Sequence, residues 1–338
     1  MNLTSLVEAG IAGDAPERAA CHSLLRTADD DLLPLLHAAF QIRKHYFGTR
    51  VQIHVLKNAK SGLCPEDCHY CSQSSVSNAP IERYALRPRE EIVSGALDAH
   101  RGGASRYCIV TSGRGPTDGE VEAVCEAVEE IKQTADIDIC CCLGLLTEPQ
   151  AHRLKSAGVG RVNHNLNTSR NHHETICSTH GYEDRLRTLE IVQKAGLATC
   201  SGGIVGMGES HNDIIDLAFA LREVGADSIP VNFLHPIDGT PLSGRDDLTP
   251  RDCLRTLCLF RFVNPDREIR VAGGRERNIR SLQPLALYPA NSLFVEGYLT
   301  TGGQDTGDTH RMIEDLGFEI DARAPSPTVD LTEAITIA

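Results

Sequence analysis

Residues 51–71 read VQIHVLKNAKSGLCPEDCHYC, a strand-like run that leads directly into a loop with three closely spaced cysteines. These are Cys64, Cys68 and Cys71, spaced C-x3-C-x2-C. No further cysteine occurs before Cys108. A cubane iron–sulfur cluster has four irons and usually takes four thiolate ligands. Three local thiolates would leave one iron open to another ligand, so this loop predicts a reaction centre rather than a simple electron carrier.

The same cysteines could instead belong to a structural zinc site completed by His54, His69 or a more distant ligand. Zinc sites commonly combine one C-x2–4-C element with a second ligand pair further along the chain. Here the three cysteines are crowded into one short loop, and no second pair of matching spacing follows. The spacing therefore favours an open iron–sulfur cluster over zinc.

The composition indicates a protein that uses its thiols for metal binding or catalysis. The chain has 338 residues, 41% of them hydrophobic, which is enough for one large core or two ordinary ones. We expect a cytoplasmic protein, because there is no apolar run of roughly 20 residues and no basic start with an apolar stretch behind it. The formal charge of -13 argues against general nucleic-acid binding, which needs clustered Lys and Arg. Thirteen cysteines in such a chain suggest metal or catalysis rather than disulfides.

Short strand-like runs alternate with longer amphipathic segments through most of the chain. We predict an N-terminal helical extension over residues 1–45, a barrel domain over 46–320 and a disordered tail over 321–338. The predicted strands are 51–55, 106–111, 137–143, 161–166, 198–205, 228–234, 268–272 and 292–295, with helices between them such as 120–134, 183–195 and 212–224. This alternation predicts an α/β fold, a parallel (β/α)8 barrel of the TIM type. The alternative is an open doubly wound sheet.

A glycine-rich segment, GGIVGMG at residues 202–208, lies at the end of the fifth predicted strand. Asp227 follows at about the distance expected in a dinucleotide-binding fold, but the glycine order is not G-x-G-x-x-G. The order argues against dinucleotide binding and against the open sheet. We expect these glycines to let the backbone pass close to a bulky ligand at the barrel mouth.

Several predicted strands carry sulfur or nitrogen where a barrel interior is usually filled by Val, Ile and Leu. Because side chains alternate along a strand, Cys140 and Cys142 should share one face while Cys141 points to the other. The same alternation puts three asparagines on one face: Asn163, Asn165 and Asn167.

Four residues in the first half of their strands should lie deep in the barrel: Cys108, Cys140, Cys200 and Arg270. A buried guanidinium without a partner costs on the order of several kcal/mol, so Arg270 needs an anion or an acceptor. A second, smaller iron–sulfur cluster bound by these groups would supply one. The alternative is that Arg270 pairs with a carboxylate such as Glu296 and that the cysteines only pack in the core.

Several motifs together resemble the biotin synthase family of the radical S-adenosylmethionine enzymes. The motifs are the C-x3-C-x2-C loop, Tyr107-Cys108, NHNL at 163–166, CSGGIVG at 200–206, and Arg270 with GRE at 274–276. The resemblance extends from about Val51 to Ile320. It implies a radical sulfurtransferase that inserts sulfur into dethiobiotin to form biotin, with the sulfur taken from an auxiliary iron–sulfur cluster.

The resemblance also implies ligands and partners. A [4Fe–4S] cluster would be held by Cys64, Cys68 and Cys71, with S-adenosylmethionine on its open iron. A [2Fe–2S] cluster would be held by Cys108, Cys140, Cys200 and Arg270. S-adenosylmethionine would contact Tyr70, Asn165, Asn167 and Arg185, and dethiobiotin would contact Asn165 and Asn232. The implied partners are an electron donor such as flavodoxin or ferredoxin and, in a homodimer, a second copy of the chain.

Three positions depart from the simplest form of this pattern. Many relatives have Asp where this chain has Asn167, and that side chain is expected to hold the ribose hydroxyls of S-adenosylmethionine. Cys142 supplies one thiol more than a [2Fe–2S] cluster requires, so a larger or differently ligated second cluster stays open. Cys177 is a further spare thiol near the mouth, interpreted as inert.

Two of the polar residues have alternative roles. Arg185 could form a surface ion pair with Glu183 or Glu190 on its own predicted helix. Asn163 is interpreted as support for its neighbours rather than as a ligand contact.

Two other functions compete with sulfur insertion. One is another radical enzyme of related sequence, of the hydrogenase-cofactor or thiazole-assembly type, although the deep cysteine and arginine set argues against it. The other is a non-catalytic iron–sulfur carrier or scaffold. A carrier would need no substrate cavity, and Asn165 and Asn232 would then have no purpose.

Overall fold

The computed structural model describes residues 2–321. The predicted tail therefore lies outside the described residues, apart from Asp321. Within the described range, no helix is both long enough and apolar enough to cross a membrane.

The strands occupy nearly the positions that the alternating pattern predicts. They are β1 (Arg50–Lys60), β2 (Arg106–Thr111), β3 (Asp138–Cys142), β4 (Arg161–Asn163), β5 (Ala198–Cys200), β6 (Gly203–Val205), β7 (Ser228–Phe233), β8 (Glu268–Val271), β9 (Ser292–Val295) and β10 (Glu319–Ile320). β10 is the one strand without a predicted counterpart, and it pairs in parallel with the first residues of β1.

The sheet closes on itself. Its order is β1-β2-β3-β4-β5-β7-β8-β9, every pairing is parallel, and β9 returns to β1 with Gln52 opposite Ser292 and Val55 opposite Val295. β6 continues the line of β5 and also pairs with β7. Counting β5 and β6 as one broken strand, the structure is a closed eight-stranded parallel barrel, and the predicted (β/α)8 fold is confirmed.

Helices connect the strands along the outside. They are α1 (Leu3–Ile11), α2 (Arg18–Leu25), α3 (Leu32–Phe47), α4 (Arg89–Arg101), α5 (Asp118–Thr134), α6 (Glu148–Ser156), α7 (Arg170–Ile176), α8 (Tyr182–Lys194), α9 (His211–Glu223), α10 (Pro250–Val263), α11 (Arg275–Ile279) and α12 (Thr306–Asp315), with 3-10 turns at Asp29–Asp31 and Arg280–Leu287. Several begin with a capping box. In α5, Thr117 Oγ1 accepts from Glu120 N at 3.2 Å while the Glu120 carboxylate accepts from Thr117 N at 2.9 Å.

The first three helices pack on the outside of the barrel against α9 and α10. The buried Arg43 of α3 ties this layer to the start of β1, because its guanidinium donates to the backbone carbonyls of Arg50 at 2.8 Å and Ala290 at 3.0 Å. The predicted helical N-terminus thus consists of three helices that precede β1.

The glycine-rich segment allows a close approach within the barrel itself. A Cβ on Gly202 would lie 1.9 Å from the backbone oxygen of Pro230, and one on Gly203 would lie 2.8 Å from that of Asn167. These glycines therefore let neighbouring backbone segments of the barrel approach one another, and the close approach to a ligand stays a prediction. In this segment the fifth predicted strand is divided into β5 and β6.

Candidate active site

One cavity of about 380 Å³ opens where the barrel strands end. Its walls include all of the residues predicted from the sequence as cluster ligands, S-adenosylmethionine contacts or substrate contacts: Cys64, Cys68, Tyr70, Cys71, Cys108, Cys140, Asn165, Asn167, Arg185, Cys200, Asn232 and Arg270. The C-terminal face of a (β/α)8 barrel is where enzymes of this fold place their active sites. The fold thus collects residues that are more than 200 positions apart in the chain into one site.

The outer wall is the cysteine loop between β1 and α4. Gln73 anchors its start, because its Oε1 accepts from Gly62 N at 2.9 Å. Asp67 anchors its middle, because its carboxylate accepts from Ser178 N at 2.9 Å on the loop after α7. Cys68 is buried, whereas Cys64 and Cys71 are partly exposed in the cavity, and all three are free thiols.

Burial shifts the pKa values of the thiols in this loop toward the protonated form. Burial raises the pKa of Cys64 above its usual value and raises that of Cys71 to about 11. Because metals bind the thiolate form, loading a cluster here must release protons.

The inner wall is formed by thiols on three different strands. Cys108 on β2 and Cys140 on β3 are direct register partners, and Cys200 at the end of β5 lines the same cavity. All three are at most 5% exposed. They therefore lie deeper than the outer cysteines, as the strand positions predict.

Arg270 joins this inner group and has a carboxylate partner. Its guanidinium pairs with Glu268, donates to Ser228 Oγ at 2.8 Å and lies 3.7 Å from Cys200 Sγ. The alternative that Arg270 pairs with a carboxylate is thus confirmed, but the carboxylate is Glu268, since Glu296 is exposed and accepts from Thr306. Side chains two apart on a strand share a face, which explains why Glu268 and not Glu296 reaches Arg270.

The donor sets fit iron–sulfur groups by their chemistry. Each set provides three thiols that face the cavity, and thiolates are the usual ligands of such clusters. Among residues 2–321, the buried Nε of Arg270 has no hydrogen-bond partner, so an acceptor beside Cys200 would satisfy it. Cys142 also lines the cavity while Cys141 packs in the hydrophobic core, as the strand alternation predicts.

Three residues predicted to contact S-adenosylmethionine lie in direct contact with one another. With its amide oxygen turned toward both partners, Asn167 accepts from the Tyr70 hydroxyl at 2.5 Å and from Arg185 Nη2 at 3.1 Å. Asn167 has a φ of 69°, a left-handed conformation that asparagine tolerates better than most residues. β4 ends at Asn163, so Asn165 and Asn167 lie in the loop after the strand rather than on it.

Arg185 is buried in the wall of the cavity and not on the surface of α8. It donates to the backbone carbonyl of Asn165 at 2.7 Å and to His180 Nε2 at 2.5 Å. The alternative of a surface ion pair is wrong, because Glu183 pairs with Arg170 and Glu190 with Lys194. No carboxylate of the described chain pairs with the Arg185 guanidinium, which leaves it suited to a carboxylate ligand.

The remaining asparagines are held by the strands beneath the mouth. Asn165 Oδ1 accepts from Asn163 Nδ2 and from Gly202 N, each at 3.0 Å, which leaves its NH2 group to donate to a ligand. Asn232 bridges two neighbouring segments, because it donates to the Gly203 carbonyl at 3.0 Å and accepts from Gly273 N at 2.9 Å.

Sequence reasoning missed two groups at this site. Glu268 also pairs with Arg161 at 2.6 Å, and its position two residues before Arg270 was a signal that could have revealed it. The second group is Glu66, Cys177 and His180, which meet around Cys68. The sequence analysis noted Cys177 only as a spare, inert thiol. Cys177 and His180 lie three residues apart on one loop, but no local pattern joins them to Glu66 and Cys68, which come about 110 residues earlier.

Family models match two parts of the chain. The Radical SAM superfamily model matches residues 60–221 and the Biotin and Thiamin Synthesis associated domain model matches residues 230–319. The first match ends before β7, so the barrel is completed by strands of the second.

Solved structures share the fold. Methylornithine synthase superposes with a TM-score of 0.82 at 20% identity, covering 94% of this chain and 97% of that one. The FeFe-hydrogenase maturase from Carboxydothermus hydrogenoformans superposes with a TM-score of 0.79 at 17% identity, covering 94% and 79%. At these identities the likeness establishes the architecture alone.

Curated relatives are far more similar in sequence. The chain is 55% identical to the biotin synthase of Lysinibacillus sphaericus over 95% of its own length and 97% of that protein's. It is 55% identical to the biotin synthase of Bacillus subtilis (strain 168), with 89% and 90% covered, and 53% identical to that of Geobacillus thermodenitrificans, with 97% and 98% covered. With near-complete coverage at this identity, the chain belongs to the biotin synthase family of radical S-adenosylmethionine enzymes.

Proposed function

We propose that this chain converts dethiobiotin to biotin, inserting a sulfur atom that it takes from an auxiliary iron–sulfur cluster. The observation that supports this proposal is a single cavity with two separate thiol sets, one at its mouth and one at its depth. A substrate between them would be close to both reactants, and radical chemistry requires reacting atoms within about 3–4 Å.

A radical S-adenosylmethionine enzyme uses a [4Fe–4S] cluster and S-adenosylmethionine, and we assign the cluster to Cys64, Cys68 and Cys71. When bound, it supplies the electron that cleaves S-adenosylmethionine to a carbon radical. We assign a [2Fe–2S] cluster to Cys108, Cys140, Cys200 and Arg270, which would supply the sulfur. Cys142 lines the same wall, so a larger second cluster is compatible with this donor set.

The residues around the outer thiols fit the polar parts of S-adenosylmethionine. Arg185 is a buried cation that can donate two parallel hydrogen bonds to the carboxylate. Asn167 can hydrogen-bond the ribose hydroxyls without a charge, and it also orients Tyr70. Asn165 accepts from Arg185 through its carbonyl and from Asn163 through its side chain, and Asn163 in turn lies 3.2 Å from Cys200 Sγ.

Dethiobiotin would occupy the space between the two thiol sets. Its ureido ring both donates and accepts hydrogen bonds, which matches the amide groups of Asn165 and Asn232. Asn232 uses one amide hydrogen and one lone pair on the barrel backbone, so the others remain available. A bound substrate and S-adenosylmethionine would fill this cavity and displace its water, which protects a radical from side reactions.

The proposed partners follow from the family. One electron must reach the outer cluster for each cleavage, and we propose flavodoxin or ferredoxin as its source. We also propose that the chain works as a homodimer in the cytoplasm. Sedimentation of the full chain would test this proposal, because a homodimer gives a single species of twice the 36.7 kDa chain mass.

A single turnover experiment tests the proposed function. The chain would be loaded anaerobically with iron and sulfide, then supplied with dethiobiotin, S-adenosylmethionine and dithionite. We expect both 5′-deoxyadenosine and biotin. 5′-Deoxyadenosine without biotin would contradict sulfur insertion and favour a different radical reaction, and the absence of both products would favour an iron–sulfur carrier.

Replacing Arg185 with alanine should weaken S-adenosylmethionine binding. Hydrogen bonds to charged groups contribute about 1.5–3 kcal/mol, so we expect Kd to rise by about 10- to 100-fold. The measurement is anaerobic calorimetric titration of the cluster-loaded protein with S-adenosylmethionine. Arg187→Ala is the matched control, because Arg187 lies on the same helix with its side chain 69% exposed. Equal effects of the two substitutions would contradict the assignment.

A further inference from the structure

Three buried ligand-type side chains meet at the edge of the active site. The Sγ atoms of Cys68 and Cys177 and a ring nitrogen of His180 all lie within 4.8 Å of one another. Cys177 directly follows α7, and His180 lies two residues before α8. Only Cys68 belongs to the C-x3-C-x2-C loop, so this group of three combines one proposed cluster ligand with two side chains from outside that loop.

The spacing matches ligands of one metal ion. In a tetrahedral zinc site, with Zn–S about 2.3 Å and Zn–N about 2.0–2.1 Å, two sulfur ligands lie about 3.8 Å apart and a sulfur and a nitrogen about 3.5 Å apart. Here Cys68 Sγ and Cys177 Sγ are 3.7 Å apart, and Cys177 Sγ is 3.3 Å from His180 Nδ1 and 3.6 Å from His180 Nε2. Thiolates bound to different irons of a cubane stand further apart, because each points outward from its own corner.

The surroundings of His180 prepare it as a ligand. Glu66, which is 5% exposed, contacts His180 Nδ1, and Thr179 Oγ1 donates to the same carboxylate at 2.6 Å. A carboxylate that accepts from one ring nitrogen leaves the other with its lone pair, the arrangement typical of zinc-bound histidines. In the structure that lone pair, on Nε2, accepts from Arg185 Nη2 at 2.5 Å.

We propose that Cys68, Cys177 and His180 bind one Zn²⁺ in the cluster-free chain, with a water molecule as fourth ligand. Two thiols lose their protons, and the two thiolates neutralise the charge of the ion. The zinc ion and the [4Fe–4S] cluster are mutually exclusive, because both require Cys68. This second statement rests on the proposed assignment of Cys68 to the cluster, whereas the zinc site itself does not.

Zinc also changes the state of Arg185. Ligation through Nε2 removes the acceptor of one Arg185 hydrogen bond, so the guanidinium must move from His180 toward Asn167 or the cavity. In the zinc-bound chain, Cys68 is therefore not free to bind the [4Fe–4S] cluster, and the Arg185 guanidinium is not in the position that the proposed S-adenosylmethionine site needs.

The test uses the full chain, made metal-free and kept reduced, with Co²⁺ as a spectroscopic probe and Zn²⁺ in competition with a chelator. We expect one ion per chain and the visible absorption of tetrahedral, thiolate-bound Co²⁺. Cys177→Ser should weaken zinc binding by about 100-fold or more, since even outer partners of zinc ligands contribute 10- to 100-fold. The double variant Cys64→Ser/Cys71→Ser should retain the spectrum.

The reverse pattern would overturn the proposal. If Cys64→Ser/Cys71→Ser abolished the absorption and Cys177→Ser kept it, the ion would be held by the C-x3-C-x2-C loop alone. Circular dichroism checks that each variant is folded, and Cys177→Thr repeats the test with a different side chain.

Exclusion of the cluster has its own readout. Zinc-loaded wild-type chain should take up iron and sulfide several-fold more slowly than metal-free chain, as measured by bound iron, while the same zinc treatment should not slow Cys177→Ser. Equal uptake of iron and sulfide by zinc-loaded and metal-free wild type would contradict two statements: that zinc excludes the cluster, and that Cys68 is a cluster ligand. The zinc site itself is tested separately by the Co²⁺ titration.

Discussion

Cys200→Ala should stop biotin formation while S-adenosylmethionine cleavage continues. Cys200 is fully buried and lies 3.2 Å from Asn163 Nδ2 and 3.7 Å from Arg270 Nη1, so its loss would remove a proposed ligand from the centre of the inner set. The outer thiols keep their positions on a separate loop. We expect the rate of biotin formation to fall at least about 1000-fold, equivalent to about 4 kcal/mol in activation free energy, with 5′-deoxyadenosine still detected.

Cys64→Ala is the complementary variant. It should remove the [4Fe–4S] signal and all 5′-deoxyadenosine while the spectrum of the inner cluster persists. Mössbauer spectra of the iron-loaded variants measure the two clusters separately. Cys177→Ser serves as the control, because we place Cys177 in neither cluster. If Cys200→Ala and Cys64→Ala lost the same signal, the chain would hold one cluster rather than two.

Cys142→Ala tests the size of the inner cluster in the same experiment. Cys142 lines the cavity on the same strand as Cys140, but it is less buried. A [2Fe–2S] cluster held by three cysteines and Arg270 predicts an unchanged inner signal. Loss of iron from the inner site would show that this fourth thiol is a ligand.

Glu268→Gln should destabilise the fold by about 3–5 kcal/mol, the typical effect of removing one partner from a buried ion pair. Glu268 is 6% exposed and pairs with the guanidinium groups of Arg161 and Arg270. Burial alone would raise its pKa, but these two cations hold the pKa well below its usual value, so the side chain is ionised. Glutamine keeps the shape and loses the charge, which leaves two buried cations without a counter-ion.

The measurement is urea unfolding of the cluster-free chain, followed by circular dichroism. Glu183→Gln is the control, because it breaks an exposed ion pair with Arg170 that is worth about 0.2–1 kcal/mol. A loss below 1 kcal/mol for Glu268→Gln would contradict the role of this carboxylate at the barrel base.

The sequence alone predicted the barrel and most of the walls of the cavity. Strand positions follow from local apolar runs, and the period of two assigned Cys140 to the cavity and Cys141 to the core. Parallel strands of a barrel bring their carboxyl ends to one face, so residues at those ends converge whatever their separation in the chain. The spacing of the cysteine loop is likewise local and needs no tertiary information.

Only the tertiary structure decided which side chains pair across the barrel and its loops. It selected Glu268 and not Glu296 as the partner of Arg270, turned Arg185 inward, and brought Cys177 and His180 to Cys68. The physical reason is that hydrogen bonds and ion pairs depend on distances of about 3 Å. Periodicity determines the face on which a side chain lies, but loop conformation and packing determine what it touches.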